Sequence, residues 1–341
     1  MKIAIKKLLD YEQPQKYIVR TENYSDSFSI PVLTAGKSFI LGYTDETDGI
    51  YKGAKSPVII FDDFTSDKKY VNFDFKVKSS AMKLLHKVNE EDNLKYIYYA
   101  LQSIKYTPFS HKRVWISEYS NFLVEYRTPS EQNKVVLELD NINRSIEAKK
   151  QVISSLDELV KSRFIEMFGD PQVNGKKFPV KKFIDIVTLQ RGHDLPVQSR
   201  DCNGTIPVYG SNGLLGFHSV AKRNEGLITG RSGTIGEVYI SNTPFWPLNT
   251  TLYSINTHGN NLIYLKYLLI FFDLKRFVSG AGVPTLNRNE FHGKDLIDVP
   301  ISLQNEFAEF VKLIDKSKFI VQQQIKDLQE LLDSKMDEYF R

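Results

Sequence analysis

From Val135 onward the apolar positions alternate four and three apart: Val135, Leu139, Ile142, Ile146, Ile153, Leu156, Val160 and Met167, interrupted by Lys149 and Arg163. A second series runs Phe307, Val311, Ile314, Val321, Ile325, Leu328, Leu332 and Tyr339, interrupted by Lys318 and Lys335, and starts 172 residues after the first. The polar interruptions are taken to coincide. A mean spacing of 3.5 is a heptad seam, which needs a partner surface along its whole length. The pattern predicts a helix over residues 130–168, roughly 57 Å long at 1.5 Å per residue, and a matching one over 300–341. Pro129 and Pro300 stand just before them, Ser130 and Ser302 are the candidate caps, and Gly169 with Pro171 supplies a stop. Two long matched seams in one chain pack on each other, with a left-handed supercoil absorbing the drift from 3.5 to 3.6. The alternative is that each packs only on its own neighbouring segment.

The remaining chain has a different texture. Short apolar bursts such as "SPVIIFDDF", "VNFDFKVK", "GLITG" and "GEVYI", set among Gly, Asn and Ser, are strand-and-turn signals. Between them "NLKYIYYALQSI" and "NLIYLKYLLIFFDL" have near-3.6 spacing and predict helices. Their aromatic stretches, Tyr96–Tyr99 and Phe271–Phe272, suit either a core or a partner-facing surface.

These blocks recur in order. Ile5–Asp10 matches Val180–Asp185, Ile30–Val32 matches Ile206–Val208, Leu41–Tyr43 matches Leu215–Phe217, the segment from Asn93 matches that from Asn261, and Gln132-Asn133 with Phe168 matches Gln304-Asn305 with Phe340. Any one is weak; five in register imply tandem duplication. The period is too long for a solenoid, so each copy is a domain. The expected organisation is a mixed module over 1–128, a long helix over 129–168, a second module over 169–299 and a second helix over 300–341.

Composition narrows the class. A chain of 341 residues, 41% hydrophobic and 25% charged, can bury two cores. No apolar stretch suits a membrane span or secretory signal, and the lone Cys202 fits a reducing compartment, so a cytoplasmic protein with no membrane partner is expected. A net charge of +4 permits a polyanionic partner without announcing one.

Two divergent mixed modules, each followed by a long helix of shared sequence, resemble the specificity (S) subunit of type I restriction-modification enzymes. The words that carry the resemblance are "GTIPVYGSNGLLGF", "GLITGRSGTIGEV", "VSGAGVPTLN", "VPISLQNEF" and "LQELLDSKMDEYF" in the second copy. In the first copy they are "IPVLTAGKSFILGYT" and the helix from Thr128 to Phe168. The first copy departs from the second where Gly230-Arg231-Ser232-Gly233 is replaced by Phe61–Phe64, "FDDF". The resemblance implies an α+β fold with two target-recognition domains and two helices paired as an antiparallel coiled coil with pseudo-two-fold symmetry. It implies partners: double-stranded DNA carrying a bipartite site, two methyltransferase subunits, and restriction/translocase subunits. No cofactor is expected on this chain itself. S-adenosylmethionine, ATP and magnesium belong with the partner subunits, and the chain is expected to be non-catalytic.

Base reading needs small residues for close approach and Arg, Asn, Ser, Thr or Lys for hydrogen bonds. The candidates in the second copy are Gly210, Ser211, Asn212 and Gly213; His218, Lys222 and Arg223; Gly230, Arg231, Ser232 and Gly233; and Thr285 with Asn287 in the Gly-rich stretch from Ser279 to Arg288. In the first copy they are Thr34, Lys37, Lys68, Lys69, His111, Lys112 and Arg113. Each has a plainer alternative: a structural turn for Asn212, an exposed hairpin arginine for Arg231, a solvated basic face for the first-copy set. Trp115 and Trp246 are expected in the core.

Enzyme readings fare worse. Ala35-Gly36-Lys37-Ser38 hints at a phosphate loop, but Pro31 stands where its first glycine belongs. The six histidines lack metal spacing. A magnesium-dependent nuclease built on Asp62 or Asp63, Asp74 and Lys76 is the enzyme alternative; a coiled-coil adaptor that never touches DNA is the other.

Overall fold

The computed structural model describes residues 1–34, 38–109, 113–201, 203–280 and 282–341. The chain forms two compact units, Met1–Lys149 with Gln324–Arg341, and Lys150–Gln323.

In the first unit the strands are β1 (Lys2–Ala4), β2 (Leu9–Glu12), β3 (Ile30–Leu33), β4 (Ile40–Thr44), β5 (Val58–Asp62), β6 (Lys68–Val71), β7 (Lys76–Val77), β8 (Met82–Lys87) and β9 (Leu123–Glu125). They form sheets in the orders β2-β8-β5-β6, β4-β3-β7 and β1-β9. Strand β5 is buried throughout, and its alternation splits the core. Ile59 and Phe61 join one apolar cluster, which includes Leu94 to Leu101 of α1 (Leu94–Gln102), while Val58 and Ile60 join another. Helix α2 (Pro129–Phe168) starts here.

The second unit holds β10 (Val180–Lys182), α3 (Phe183–Ile186), β11 (Thr188–Arg191), β12 (Ile206–Gly210), β13 (Gly213–His218), β14 (Gly226–Gly230), β15 (Val238–Ser241), β16 (Trp246–Pro247), β17 (Thr251–Asn256), α4 (Leu262–Phe272), β18 (Val278–Ser279), β19 (Thr285–Leu286), α5 (Asn289–His292), β20 (Asp295–Ile297) and the start of α6 (Ile301–Phe340). Its sheets run β11-β17-β14-β15, β13-β12-β16 and β10-β20, the first unit's topology repeated, with the small β18-β19 ladder added. The duplication is therefore structural. In both β3-β4 and β12-β13 the register shifts at the same place, between Val32 and Leu33 and between Val208 and Tyr209.

The structure departs from the sequence pattern in three details. Ile5–Asp10 does not correspond to Val180–Asp185: Val180–Lys182 is a strand paired with β20, and its counterpart paired with β9 is Lys2–Ala4. A short Lys-Lys word recurred by chance three residues out of step. The caps are also displaced. Thr128, not Ser130, caps α2: its backbone N–H donates to Glu131 Oε2 at 2.9 Å and its Oγ1 accepts from the Glu131 N–H at 3.4 Å, a capping box with Pro129 in the first turn. Ser302 lies inside the first turn of α6, where the Pro300 carbonyl accepts from the Leu303 N–H at 3.0 Å. Finally, only one pair of polar interruptions coincides. Arg163 is equivalent to Lys335, whereas Lys149 is equivalent to Val321 and Lys318 to Ile146. Gly169 does end α2, at φ +73°.

Both long helices have 40 residues, about 60 Å each. They pair antiparallel within each unit. In the first unit Lys149 Nζ donates to Gln324 Oε1 at 2.6 Å, and Lys335 Nζ lies 3.1 Å from Glu138 Oε1. In the second, Lys318 meets Asp157 at 2.5 Å and Arg163 meets Glu306 at 3.0 Å. All four interrupting cations thus have a partner on the opposite helix. Seam residues Leu139, Ile142, Ile146, Val160 and Val311 are buried, while Ile153, Leu156, Ile314, Val321, Ile325, Leu328 and Leu332 are half-buried, as expected where two rods cover one another without a third layer. Among the described residues no helix is long and apolar enough to cross a membrane.

Candidate nucleic-acid interface

In the second unit four separate segments meet at one end of the sheet. Strand β14 ends at Gly230, where a Cβ would lie 1.7 Å from the Thr234 carbonyl oxygen, so only glycine lets the following loop fold back. The loop is then stitched to its neighbours by the backbone. Arg231 and Ser232 N–H donate to the Thr250 carbonyl at 2.8 and 3.1 Å, Gly233 N–H to the Pro284 carbonyl at 3.2 Å, and Leu286 N–H to the Arg231 carbonyl at 2.8 Å. Ser232 and Thr285 form a β-bridge. The Ser211-Asn212 turn, closed by Gly213 at φ +95°, completes the group: the Cβ position of Gly233 is 3.3 Å from Ser211 Oγ.

The candidates from the three Gly-rich words are therefore brought together: Ser211, Asn212, Arg231, Ser232, Gly233 and Thr285 reach the surface, while Gly210, Gly213 and Gly230 are buried beneath them. Arg231 donates through Nη1 to the Asn249 carbonyl at 3.4 Å, which aims its guanidinium fork. A cavity of about 390 Å³ borders the turn, lined by Asp194, Arg200, Ser211, Asn212, Leu215, Asn249 and Thr250. Sequence reasoning missed Asp194, Arg200, Asn249 and Thr250. For Asn249 and Thr250 the available signal was the polar run Asn249–Thr251 directly after the apolar Trp246–Leu248.

His218, Lys222 and Arg223 are placed differently. His218 Nδ1 accepts from the Asp201 N–H at 3.2 Å and its ring meets Trp246 edge-on. Lys222 Nζ lies 4.8 Å above the Trp246 ring, and Arg223 Nε donates to the Glu225 carbonyl. His218 and Lys222 flank the buried Trp246, beside which burial and then Lys222 also hold the His193 imidazole below its ordinary pKa. Asn287 Oδ1 accepts from the Asn289 N–H at 3.1 Å, in the loop just before α5.

The first unit rebuilds the same frame with different chemistry. Strand pairing sets Asp62 against Gly230 and Asp63 against Arg231, one residue off the correspondence expected from the sequence. Val114 N–H donates to the Asp63 carbonyl at 3.0 Å, as Leu286 N–H does to Arg231. But the Asp63 carboxylate is buried, 3.1 Å from the equally buried Lys83 ammonium and 2.8 Å from the Trp115 N–H. Where one module has a partly exposed arginine, the other has an interior ion pair. Of the first-unit candidates, Lys69 and Arg113 are exposed. Thr34 N–H donates to the Phe39 carbonyl. Lys68 Nζ is within 3.0 Å of the Tyr119 hydroxyl, and burial pushes its ammonium down to about 8. Lys37, His111 and Lys112 lie outside the described residues.

The carboxylates proposed for a nuclease do not converge. Asp62 Oδ1 accepts from the Phe64 N–H; Asp74 binds Lys52 and the Ala54 N–H; Lys76 is buried against Glu46 and the Asp48 carbonyl. Each is occupied by a separate structural task. Among the described residues no group of three or more His, Cys, Asp or Glu side chains is arranged to hold a metal.

No family model matches the chain. Over 159 residues it is 44% identical to the type I restriction enzyme EcoR124I/EcoR124II specificity subunit of Escherichia coli, a match covering 46% of this chain and 37% of that protein. The chain thus spans well under half of this curated relative. Two solved structures share the fold nearly end to end. The type I restriction-modification S subunit from M. genitalium matches with a TM-score of 0.59 at 16% identity, over 100% of this chain and 96% of the other. A chain from a structure of type I restriction-modification complex assembly and conformational transition matches with a TM-score of 0.60 at 11% identity, over 99% and 97%. The α+β architecture of a type I specificity subunit is the architecture of this chain.

Proposed function

We propose that this chain is the DNA-specificity subunit of a type I restriction-modification complex, reading a bipartite site with one module per half-site. The observation that carries this reading is the pair of modules built on one topology, with the same backbone stitching beneath the loops, in which Arg231 on one side is replaced by the interior Asp63 on the other. An unchanged scaffold with exchanged surface chemistry is what two different recognition words on one duplex require. The antiparallel helices hold the modules and offer the docking surface for two methyltransferase subunits, which bind S-adenosylmethionine and methylate adenine after flipping it from the stack. Restriction/translocase subunits supply the ATP- and magnesium-dependent steps. This chain provides the address without catalysing a reaction and works in the cytoplasm.

The test is binding by the chain assembled with its methyltransferase partners. Affinity for a duplex carrying both half-sites should fall steeply with salt, because phosphate contacts release counterions. It should also drop when either half-site is scrambled. A salt-independent interaction, or none, would favour the adaptor reading.

A further inference from the structure

One hydrogen-bonded latch closes each module onto the helix that leaves it, and the two latches agree atom for atom. In the first unit the side chain of Gln132 is fully buried. Its Oε1 accepts from the Asn93 backbone N–H at 2.8 Å, and its Nε2 donates to Asp92 Oδ1 at 2.9 Å and to the Arg127 carbonyl at 3.0 Å. Asn93 caps α1 through its own Oδ1 and donates from Nδ2 to Asn133 Oδ1 at 2.7 Å. In the second unit Gln304 Oε1 accepts from the Asn261 N–H at 2.9 Å, and Nε2 donates to Asn260 Oδ1 at 2.7 Å and to the Val299 carbonyl at 2.8 Å. Asn261 caps α4 and donates to Asn305 Oδ1 at 2.9 Å.

The latch therefore ties three things together: the N-terminus of the module's helix, the first turn of the long helix, and the short link between module and long helix. That link is only residues 126–128 in one copy and 298–300 in the other. A buried primary amide with both Nε2 hydrogens and its oxygen engaged has one satisfied orientation, so it removes the swivel the link would otherwise permit.

We propose that Gln132 and Gln304 are positioning residues that set the angle at which each recognition module stands on its helix, and through it the number of base pairs between the half-sites. The proposal rests on the DNA-reading function above. Both glutamines are buried and so offer no side-chain surface to DNA. If they served stability alone, their loss would lower folding and binding without changing which gap is preferred.

The experiment uses the full chain assembled with its methyltransferase subunits. The duplexes carry both half-sites with the native gap, one base pair fewer or one more, or a single substitution within a half-site. In Gln132→Ala and Gln304→Ala the preference for the native gap over its neighbours should fall about tenfold, the scale of one lost buried hydrogen-bonding group. Discrimination at half-site bases should stay as in the unaltered chain. Folded variants that keep the gap preference, or that lose both discriminations in step, overturn the proposal. If the glutamine variants do not assemble, Asn133→Ala and Asn305→Ala, which remove the more exposed bond of each latch, decide it by the same two ratios. An unaltered chain that recognises no two-part site refutes the function reading and the latch with it, whereas a two-part site with an unmoved gap preference refutes the latch alone.

Discussion

The ring of Phe340, at the end of α6, lies 5.2 Å from that of Tyr96 in α1, and at the end of α2 Phe168 lies 5.1 Å from Tyr264 in α4. Each long helix thus finishes in the core of the module that it does not directly follow, which is why the chain carries nearly the same helical ending twice. Both phenylalanines are buried.

Removing either ring should open a cavity in one unit. Phe168→Ala and Phe340→Ala are each expected to cost about 3–5 kcal/mol of stability, measured by denaturant unfolding. A cost indistinguishable from that of an exposed apolar residue, such as Leu313→Ala, would mean that the helix ends do not carry the core contacts described.

The buried ion pair of the first module is a second structural commitment. Asp63→Ala strands the Lys83 ammonium in the interior and should destabilise by about 3–5 kcal/mol, read as a lower urea midpoint. Asp74→Ala removes a surface pair with Lys52 and should have far less effect. Neither substitution should alter nuclease activity, because the purified chain with magnesium is expected to leave plasmid DNA intact; cleavage lost in Asp74→Ala would reinstate the nuclease reading.

Lys68 is expected to show itself through pH. Its ammonium is pushed down to about 8 from an ordinary 10.5, chiefly by burial and against the opposing pull of Asp67. Between those values the unfolded chain binds more protons than the folded one, so this group's contribution to stability rises with pH across the window. Lys68→Met should flatten that rise in urea unfolding at about pH 7, 8.5 and 10. An identical slope in the variant would contradict the assignment.

Much of this architecture is legible in the sequence, because a heptad seam and a duplicated frame are periodic signals that survive divergence. Leu139, Ile146 and Val160 announce the buried face by spacing alone, and the recurrence of Gln132-Asn133 as Gln304-Asn305 marks the latch without revealing its partners. The candidate interface is less legible. Arg231 is visible because glycines flank it, but Thr250 and Asn249 join it only through backbone pairing between distant segments. Lys68 looks like any surface lysine until Tyr119, 51 residues away, is brought beneath it. Ser130 and Ser302 are good capping residues by type, but each stands two positions too late in the chain.

At the candidate interface, Arg231→Ala should weaken recognition of one half-site only. The expected loss is about 1–3 kcal/mol, with relaxed base preference in that half if the guanidinium reads a guanine, or a uniform loss and a shallower salt slope if it holds a phosphate. Competition binding with duplexes altered in one half at a time separates these outcomes. Equal weakening at both halves would contradict a separate role for the second module.

The central claim is that two modules held by paired helices read one address in two parts. Mapping methylated adenines across a host genome, with this chain intact and with residues 169–299 exchanged for a different recognition module, tests it most directly. The account expects a motif of two short words separated by a fixed unread gap, with the exchange rewriting one word and leaving the other in place. A continuous motif, a motif altered throughout by the exchange, or methylation indifferent to this chain would contradict it.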